Sequence, residues 1–245
     1  MSNTSKSKTQ KGSYKRMREL VCDHNRHLIE NKIKEPFEWI CPQVGVDKEC
    51  QLNSKSIMEK LGLPDNYFTD FWPQRAPQWD GMFIAKTNKT LYLIEAKSHL
   101  SEISSGNKPP VEGDNNESKK RNFTMKSDSL IYLMKCFDVD DNDETKKKYW
   151  LHTYYQIANR IAFHIKIKEA CANKEACANI KIKDVKLIFL NFVDDPDWKK
   201  ENKHVSEDRW NKKYDSILDK MGITEKQLTD KDIYIWNMDA NDLKK

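Results

Sequence analysis

The sequence is poor in glycine and has no long apolar run. Only 7 of its 245 residues are glycine, and they form neither a glycine-rich phosphate loop nor the Gly-x-Ser-x-Gly turn of serine hydrolases. No apolar stretch approaches the ~20 residues that a membrane-spanning helix needs, and no apolar signal-peptide segment follows the first residues. We therefore expect a cytoplasmic protein with no membrane partner.

Metal-ligand patterns built on cysteine or histidine are also missing. The cysteines include no Cys-x-x-Cys pair and have no histidine at zinc spacing; they are Cys22, Cys41, Cys50, Cys136, Cys171 and Cys177. The acidic run at 138–144 lacks the glycine and glutamate that an EF-hand loop requires. These patterns predict reduced cysteines and argue against a zinc-finger or EF-hand site.

Positive charge is concentrated near the N-terminus. The net charge is +5, and only lysine and arginine among charged side chains precede the first acidic residue, Glu19. We expect residues 1–13 to be a disordered basic arm, which either contacts a phosphate backbone without reading sequence or is a solvated tail. Residues 14–245 are expected to form a single domain, whose oligomeric state the sequence leaves open.

The hydrophobic pattern predicts an α/β fold with a mixed sheet. Residues 185–193 are almost continuously apolar, as in a buried parallel strand, and a helix at 149–168 would lead into it as a crossover. Other predicted helices cover 14–32, 55–61, 127–136 and 207–221, and other predicted strands cover 37–40 and 233–236. We expect the last helix and strand to be a peripheral addition or an extension of the sheet.

A β-hairpin is predicted at residues 77–97. Apolar runs at 77–86 and 91–97 flank a polar, turn-like stretch at 87–90. If Asn88 and Lys89 form a two-residue loop, Asp80 lies opposite Lys97 on the neighbouring strand.

The hairpin places three charged side chains on one face. Because side chains alternate between faces along a strand, this register brings Asp80, Glu95 and Lys97 together at one end of an apolar hairpin. Burying such charges without a ligand costs several kcal/mol per ion. The cluster would therefore suit a divalent cation beside a water molecule better than it suits a core, although a structural ion-pair network remains the alternative.

Asp80 followed by Glu95-Ala96-Lys97 resembles the signature of the PD-(D/E)xK nuclease superfamily. The surrounding blocks at 71–80, 95–99, 155–160 and 191–195 look like those of a group of uncharacterised bacterial proteins within it. The resemblance covers roughly residues 39–193. It implies a restriction-endonuclease-like core, with a mixed central sheet flanked by helices.

The resemblance also implies an activity and a cofactor. Asp80, Glu95 and the Ala96 carbonyl would bind Mg²⁺ or Mn²⁺, and Lys97 would position the attacking water. The expected function is that of a metal-dependent nuclease, a hydrolase of phosphodiester bonds in nucleic acid, with DNA favoured over RNA. The alternative is a catalytically inactive nuclease-like fold that acts as a nucleic-acid-binding or protein-interaction module.

A polar stripe on the predicted crossover helix supplies further candidates. Gln156, Asn159 and Arg160 lie at i, i+3 and i+4 and so share one side of the helix. By resemblance, Gln156 would orient the attacking water as a catalytic residue, while Asn159 and Arg160 would contact nucleic acid, Arg160 by gripping a phosphate. A solvated helix face is the alternative.

Two weaker groups of candidates complete the predicted site. The polar segment 98–121 is expected to be a surface loop, and it carries the predicted nucleic-acid-binding residues Lys119, Lys120 and Arg121. By resemblance, Glu19, Glu30 and Asn31 on the first helix are candidates for an accessory acid, although a surface role is favoured for Glu30 and Asn31.

Overall fold

The structure, a computed structural model, describes residues 12–43, 50–73, 76–104, 116–173, 177–201 and 203–244. The helices are α1 Ser13–Leu20, α2 Arg26–Ile33, α3 Lys55–Leu61, α4 Glu117–Cys136, α5 Glu144–Lys148, α6 Tyr155–Ala172, α7 Glu207–Met221 and α8 Glu225–Asp230. The strands are β1 Phe37–Cys41, β2 Cys50–Gln51, β3 Gln78–Trp79, β4 Gly81–Ala85, β5 Thr90–Lys97, β6 Asp184–Val193 and β7 Ile233–Asp239.

A mixed sheet of five strands, in the order β1-β4-β5-β6-β7, forms the centre of the fold. Strands β1, β4 and β5 pair antiparallel, whereas β6 pairs parallel to β5 and β7 parallel to β6. The predicted α/β class and mixed sheet flanked by helices are confirmed. Strand β7 lies at the edge of this sheet, so the C-terminal strand extends it.

Helices cover both faces of the sheet. The larger apolar layer includes α3, α4, α6 and α7 and packs on the face that carries Leu91 and Leu93 of β5. The smaller layer includes α1, α2 and the C-terminal tail and packs on the face that carries Tyr92 and Ile94. Strand β5 is buried throughout its length, so any charged side chain on it must find its partners inside the protein.

The first predicted helix is interrupted. Residues 14–32 were expected to form one helix, but a 3-10 turn at Asp23–Asn25 separates α1 from α2. The buried side chain of Asn25 donates hydrogen bonds to the carbonyl oxygens of Glu19, at 2.8 Å, and Lys244, at 2.9 Å. This amide ties the end of α1 to the C-terminal tail, a tertiary contact that the helical periodicity does not reveal.

The hairpin has a different register from the predicted one. Four residues rather than two connect β4 to β5, and Gly81 pairs with Ile94. Continuing this pairing by one residue places Asp80 across from Glu95 rather than from Lys97, which corrects the predicted register by two positions. The face of each side chain is unchanged because the alternation repeats every two residues.

The polar segment 98–121 is only partly a loop. Residues 105–115 lie outside the described residues, but α4 begins at Glu117, where the side chain of Asn116 accepts a hydrogen bond from Lys119 N at 3.1 Å. Lys119, Lys120 and Arg121 therefore lie in the first turns of a helix, not in a loop. Residues 1–11 of the predicted basic arm also lie outside the described residues. The expectation of disorder is wrong for Gly12 and Ser13, because Ser13 begins α1 and Gly12 O accepts a hydrogen bond from Arg16 N.

Cysteine pairing differs from the prediction at Cys41. Cys41 is disulfide-bonded, whereas Cys22, Cys136, Cys171 and Cys177 are free. The expectation of reduced cysteines is therefore wrong for Cys41, because sequence spacing does not show which thiols lie close together in the fold. Within the described ranges, no helix is both long and apolar enough to cross a membrane.

Candidate active site

The three signature side chains lie on the same face of the sheet. Glu95 and Lys97 share the face of Leu91 and Leu93 on β5, and Asp80 immediately precedes β4. The Asp80 Oδ2 atom accepts a hydrogen bond of 2.7 Å from Ala96 N, which fixes its carboxyl beside β5. The charges of Glu95 and Lys97 both act on Asp80, so the structure brings the predicted cluster together.

Glu95 is the most heavily bonded of the three side chains. It is 2% exposed, and its Oε1 accepts hydrogen bonds from Lys97 Nζ and, at 2.6 Å, from Gln156 Nε2. Its Oε2 accepts one from Arg160 Nε at 2.5 Å. Although burial disfavours the ionised carboxyl, Arg160 and Lys97 hold the pKa of Glu95 below its ordinary value. Glu95 is therefore a carboxylate at neutral pH.

Asp80 has the opposite electrostatic environment. Burial and the negative charge of Glu95 raise the pKa of Asp80. Lys97, the Ala96 amide and Arg160 lower it, but their effect is smaller, so the pKa is about 7. No salt bridge to Asp80 is present among the described residues. The second carboxyl of the pair thus lacks a cation of its own.

Arg160 holds Glu95 in place. Besides the bond to Glu95, its Nη1 donates to Asn159 Oδ1 at 2.8 Å and its Nη2 to the Gln78 carbonyl at 2.7 Å. Its guanidinium lies over the ring of Trp79, 5.1 Å from the centroid. The predicted stripe on α6 does face the site, but Arg160 and Asn159 are buried there and contact protein groups. Each guanidinium nitrogen of Arg160 thus already donates to a protein group, so the predicted phosphate grip would have only the second N–H of Nη1 and of Nη2 to use.

The oxygen atoms of this cluster suit a hard divalent cation. Asp80 uses one oxygen in a backbone hydrogen bond, and a carboxylate such as Glu95 can accept about four hydrogen bonds or metal bonds in total. A cation beside Asp80 would also favour its ionised form. Within the described ranges, however, no group of three or more His, Cys, Asp or Glu side chains is arranged to hold a metal, so backbone carbonyls and water would complete the coordination.

The other predicted site residues lie away from this pocket. Glu19 accepts a hydrogen bond from Arg16 on α1. Helix α1 packs against the face of the sheet that carries Tyr92 and Ile94, opposite to the face of Glu95. Glu30 pairs with Arg26 on α2, and Asn31 is exposed on the same helix. None of these three can serve as an accessory acid beside Asp80, because the sheet stands between them.

Two buried polar residues near the site had no predicted role. Asn191 pairs with Lys97 across the parallel β5–β6 ladder, so both side chains occupy the same face. It is fully buried, and its Oδ1 accepts a hydrogen bond from the Tyr214 hydroxyl at 3.2 Å. Burial and the charge of Glu95 raise the pKa of Tyr214, which therefore stays a neutral donor. In the sequence, Asn191 is a polar residue within the apolar run 185–193, and this is the signal that could have identified it as a residue near the site.

Comparisons with known proteins give no family for this chain. No protein-family model matches it, and no curated protein or solved structure matches it either.

Proposed function

We propose that this protein is a metal-dependent nuclease that hydrolyses phosphodiester bonds in nucleic acid, with DNA favoured over RNA. The observation that carries the proposal is the convergence of Asp80, Glu95 and Lys97 on one buried face, at the end of a hairpin next to a parallel strand. We further infer a restriction-endonuclease-like core, since the hairpin, the crossover through α6 and strand β6 follow the order that the sequence resemblance implies.

The cofactor of this proposal is Mg²⁺ or Mn²⁺, held by Asp80, Glu95 and the Ala96 carbonyl. When bound, such an ion polarises the scissile phosphate and favours ionisation of the attacking water. The donors fit it because they are oxygen atoms and because, among the described residues, Asp80 forms no salt bridge while Lys97 and Arg160 are bonded to Glu95.

The remaining side chains would act as charge stabilisers and positioning groups. The ammonium of Lys97 pairs with Oε1 of Glu95. From this position it can stabilise negative charge that develops on the phosphate. Arg160 fixes Glu95 from the other side, and the Gln156 amide holds Oε1 of Glu95. In this proposal Gln156 and Arg160 act through Glu95, as positioning residues.

A nuclease assay tests the proposal. Plasmid, linear duplex and single-stranded substrates are incubated with Mg²⁺ or Mn²⁺, and the variants Lys97→Ala and Asp80→Asn are compared with the wild type. We expect cleavage that requires the metal and falls at least ~100-fold in both variants. Lys226→Met serves as a control because it removes only an exposed ion pair with Asp230. Cleavage that survives Lys97→Ala, or that needs no metal, would contradict the mechanism.

One observation favours the alternative of an inactive binding module. Lys97 and Arg160 already neutralise Glu95 within the protein, as they would in a purely structural ion-pair cluster. Titration calorimetry with Mn²⁺ separates the two functions. The nuclease proposal expects binding that Asp80→Asn abolishes, whereas the binding-module proposal expects no binding or binding that this substitution leaves unchanged.

A further inference from the structure

Lys126 on α4 lies beside the candidate active site, although no sequence pattern singled it out. Its Nζ is 5.8 Å from the ring centroid of Tyr155, in the first turn of α6. The next residue, Gln156, donates its side-chain hydrogen bond to Glu95. Helix α4 is fixed at this level because the Ser129 hydroxyl donates to the Phe71 carbonyl. The ammonium group therefore lies at the first turn of α6, one residue along the chain from the side chain that contacts Glu95.

This ammonium has no acidic partner among the described residues. The side chain is half-buried, and no salt bridge or hydrogen bond to an acid involves it within those ranges. Burial lowers the pKa of Lys126, and no neighbouring carboxylate opposes that effect. Partly burying a cation without a counter-ion is unfavourable, so the position suits an anion from outside the chain.

The other cations of the pocket are already paired. Lys97 and Arg160 both donate to Glu95, and the proposed cleavage brings in a negatively charged phosphodiester. Lys126 is thus the cation near this pocket, within the described part of the chain, that has no carboxylate partner.

A groove runs along α4 at residues 118–125, just before Lys126 in the chain. A cavity of about 560 Å³ separates Trp72, Pro73 and Ala76 from Arg121, Asn122 and Met125 of α4. Trp72 stacks on Tyr155 with a centroid distance of 6.3 Å, so the inner wall of the groove touches the ring that Lys126 covers. The groove and the catalytic cluster are neighbours through Tyr155.

We propose that Lys126 binds a backbone phosphate of the nucleic-acid strand as it enters the catalytic pocket. The proposal rests on the proposed nuclease function and deepens it, because it moves the phosphate contact from Arg160 to a residue on α4. The contact is to phosphate rather than to a base, so it is independent of sequence. Arg121, exposed along the same groove, would contact the strand further from the site.

Binding and kinetics of the full-length protein test the proposal. The variants are Lys126→Met, which keeps the apolar stem over Tyr155, and Lys126→Arg, which keeps the charge. Lys231→Met is the matched control because Lys231 also lies over an aromatic ring, 5.1 Å from the centroid of Phe137. Affinity for a fluorescent duplex and a fluorescent single strand is measured in EDTA over a range of salt concentrations. KM and kcat are then measured with Mn²⁺, and thermal unfolding verifies that each variant is folded.

We expect Lys126→Met to weaken binding roughly tenfold on unrelated sequences. The slope of log affinity against log salt should fall by about 0.7–0.9, the value for one phosphate contact. KM should rise while kcat changes little, Lys126→Arg should bind within about threefold of the wild type, and Lys231→Met should behave as the wild type.

Three results would overturn the proposal, and they are distinguishable. If the wild type cleaves nucleic acid and Lys126→Met equals it in affinity and salt slope, Lys126 is not a phosphate contact and the nuclease proposal stands. If Lys126→Arg is as weak as Lys126→Met, packing on Tyr155 rather than charge is responsible. If the wild type neither binds nor cleaves any substrate, both proposals fail together.

Discussion

Replacing Arg160 with methionine tests whether Glu95 is a buried carboxylate that depends on its ion pairs. Glu95 is 2% exposed, and Arg160 donates to its Oε2. Methionine approximates the stem of arginine but removes the charge, so Oε2 loses its only hydrogen-bond donor among the described residues. Removing one partner of a buried ion pair typically costs about 3–5 kcal/mol, because the remaining charge stays buried. Lys97 still neutralises Oε1, so we expect a loss of about 3 kcal/mol at pH 7.

The expected loss depends on pH with a definite sign. In the wild type the pKa of Glu95 is lowered by Arg160 and Lys97 despite burial, so its ion pairs stabilise the fold above the unfolded pKa. In Arg160→Met the folded carboxyl becomes harder to ionise, and the penalty grows as the pH rises above that unfolded value. The difference in stability between the two proteins should therefore shrink as the pH falls from 7 towards 4.

Urea unfolding of four proteins forms the assay: the wild type, Arg160→Met, Glu95→Gln and the double variant. Because the two substitutions remove the same ion pair, the double variant should be more stable than the sum of the single effects by more than ~1 kcal/mol. Lys226→Met, which breaks an exposed pair, should cost no more than a few tenths of a kcal/mol. A loss below ~1 kcal/mol in Arg160→Met, or additive effects within ~0.5 kcal/mol, would refute the reasoning.

Three further predictions concern the rest of the chain. Gly62→Ala should cost at least ~2 kcal/mol in urea unfolding, because Gly62 has a φ of 73° and an added Cβ would overlap the Asn179 carbonyl. Gly222→Ala, with the same φ but only a flexible lysine side chain nearby, should cost about 1 kcal/mol; equal losses would contradict this distinction. Burial lowers the pKa of His164 to about 4, and its Nδ1 has no hydrogen-bond partner among the residues that the structure describes. The neutral ring therefore stabilises the fold fully above its unfolded pKa of about 6.5 and progressively less as the pH falls towards 4. His164→Gln should lose this dependence between pH 4.5 and 7, and an unchanged pH profile would contradict it. Deleting residues 1–13 should weaken nucleic-acid binding by a similar factor on unrelated sequences and reduce its salt slope; if neither changes, the arm is only a tail.

The hairpin shows which part of a site can be predicted from sequence. The alternation of apolar and polar residues predicted the face of Asp80, Glu95 and Lys97, because that pattern survives a shift of two residues. The opposing pair was wrong because the loop length was wrong. Thr87 was expected to pair with Thr90, but β4 ends at Ala85, so Lys86 and Thr87 belong to the loop. The amide of Thr90 donates to Asn88 Oδ1 at 2.8 Å, a side-chain contact that makes the longer turn stable.

Helix α4 shows where sequence patterns fail. Its buried residues lie only in its C-terminal part, at Ser129, Leu130, Leu133 and Met134, which is the region where a helix was predicted. The first turns are exposed and polar and carry no apolar periodicity, so the segment resembled a loop. The position of Lys126 against Tyr155 is a contact between two helices and has no counterpart in sequence spacing.

The ion pairs around Glu95 also could not be predicted from the sequence, because they join residues that are far apart in the chain. Arg160 lies 65 residues from Glu95 in the chain, and the polar stripe on α6 indicated only that some polar surface would be needed there. The sequence resemblance assigned Arg160 to phosphate. In the structure its side chain is 9% exposed, and its guanidinium is bonded to protein on three nitrogen atoms.

The charge balance of the pocket bears on whether it serves only the fold. Replacing a buried ion pair by apolar residues of similar size is often neutral or stabilising, so a purely structural cluster has no need of a second carboxyl. Asp80 adds that carboxyl where burial and Glu95 oppose its ionisation, with the two nearest cations already bonded to Glu95. The Ala96 amide and the positive charges of Lys97 and Arg160 offset only part of the free-energy cost of ionising Asp80. A divalent cation would offset it directly, which is why we favour the nuclease over the inactive module.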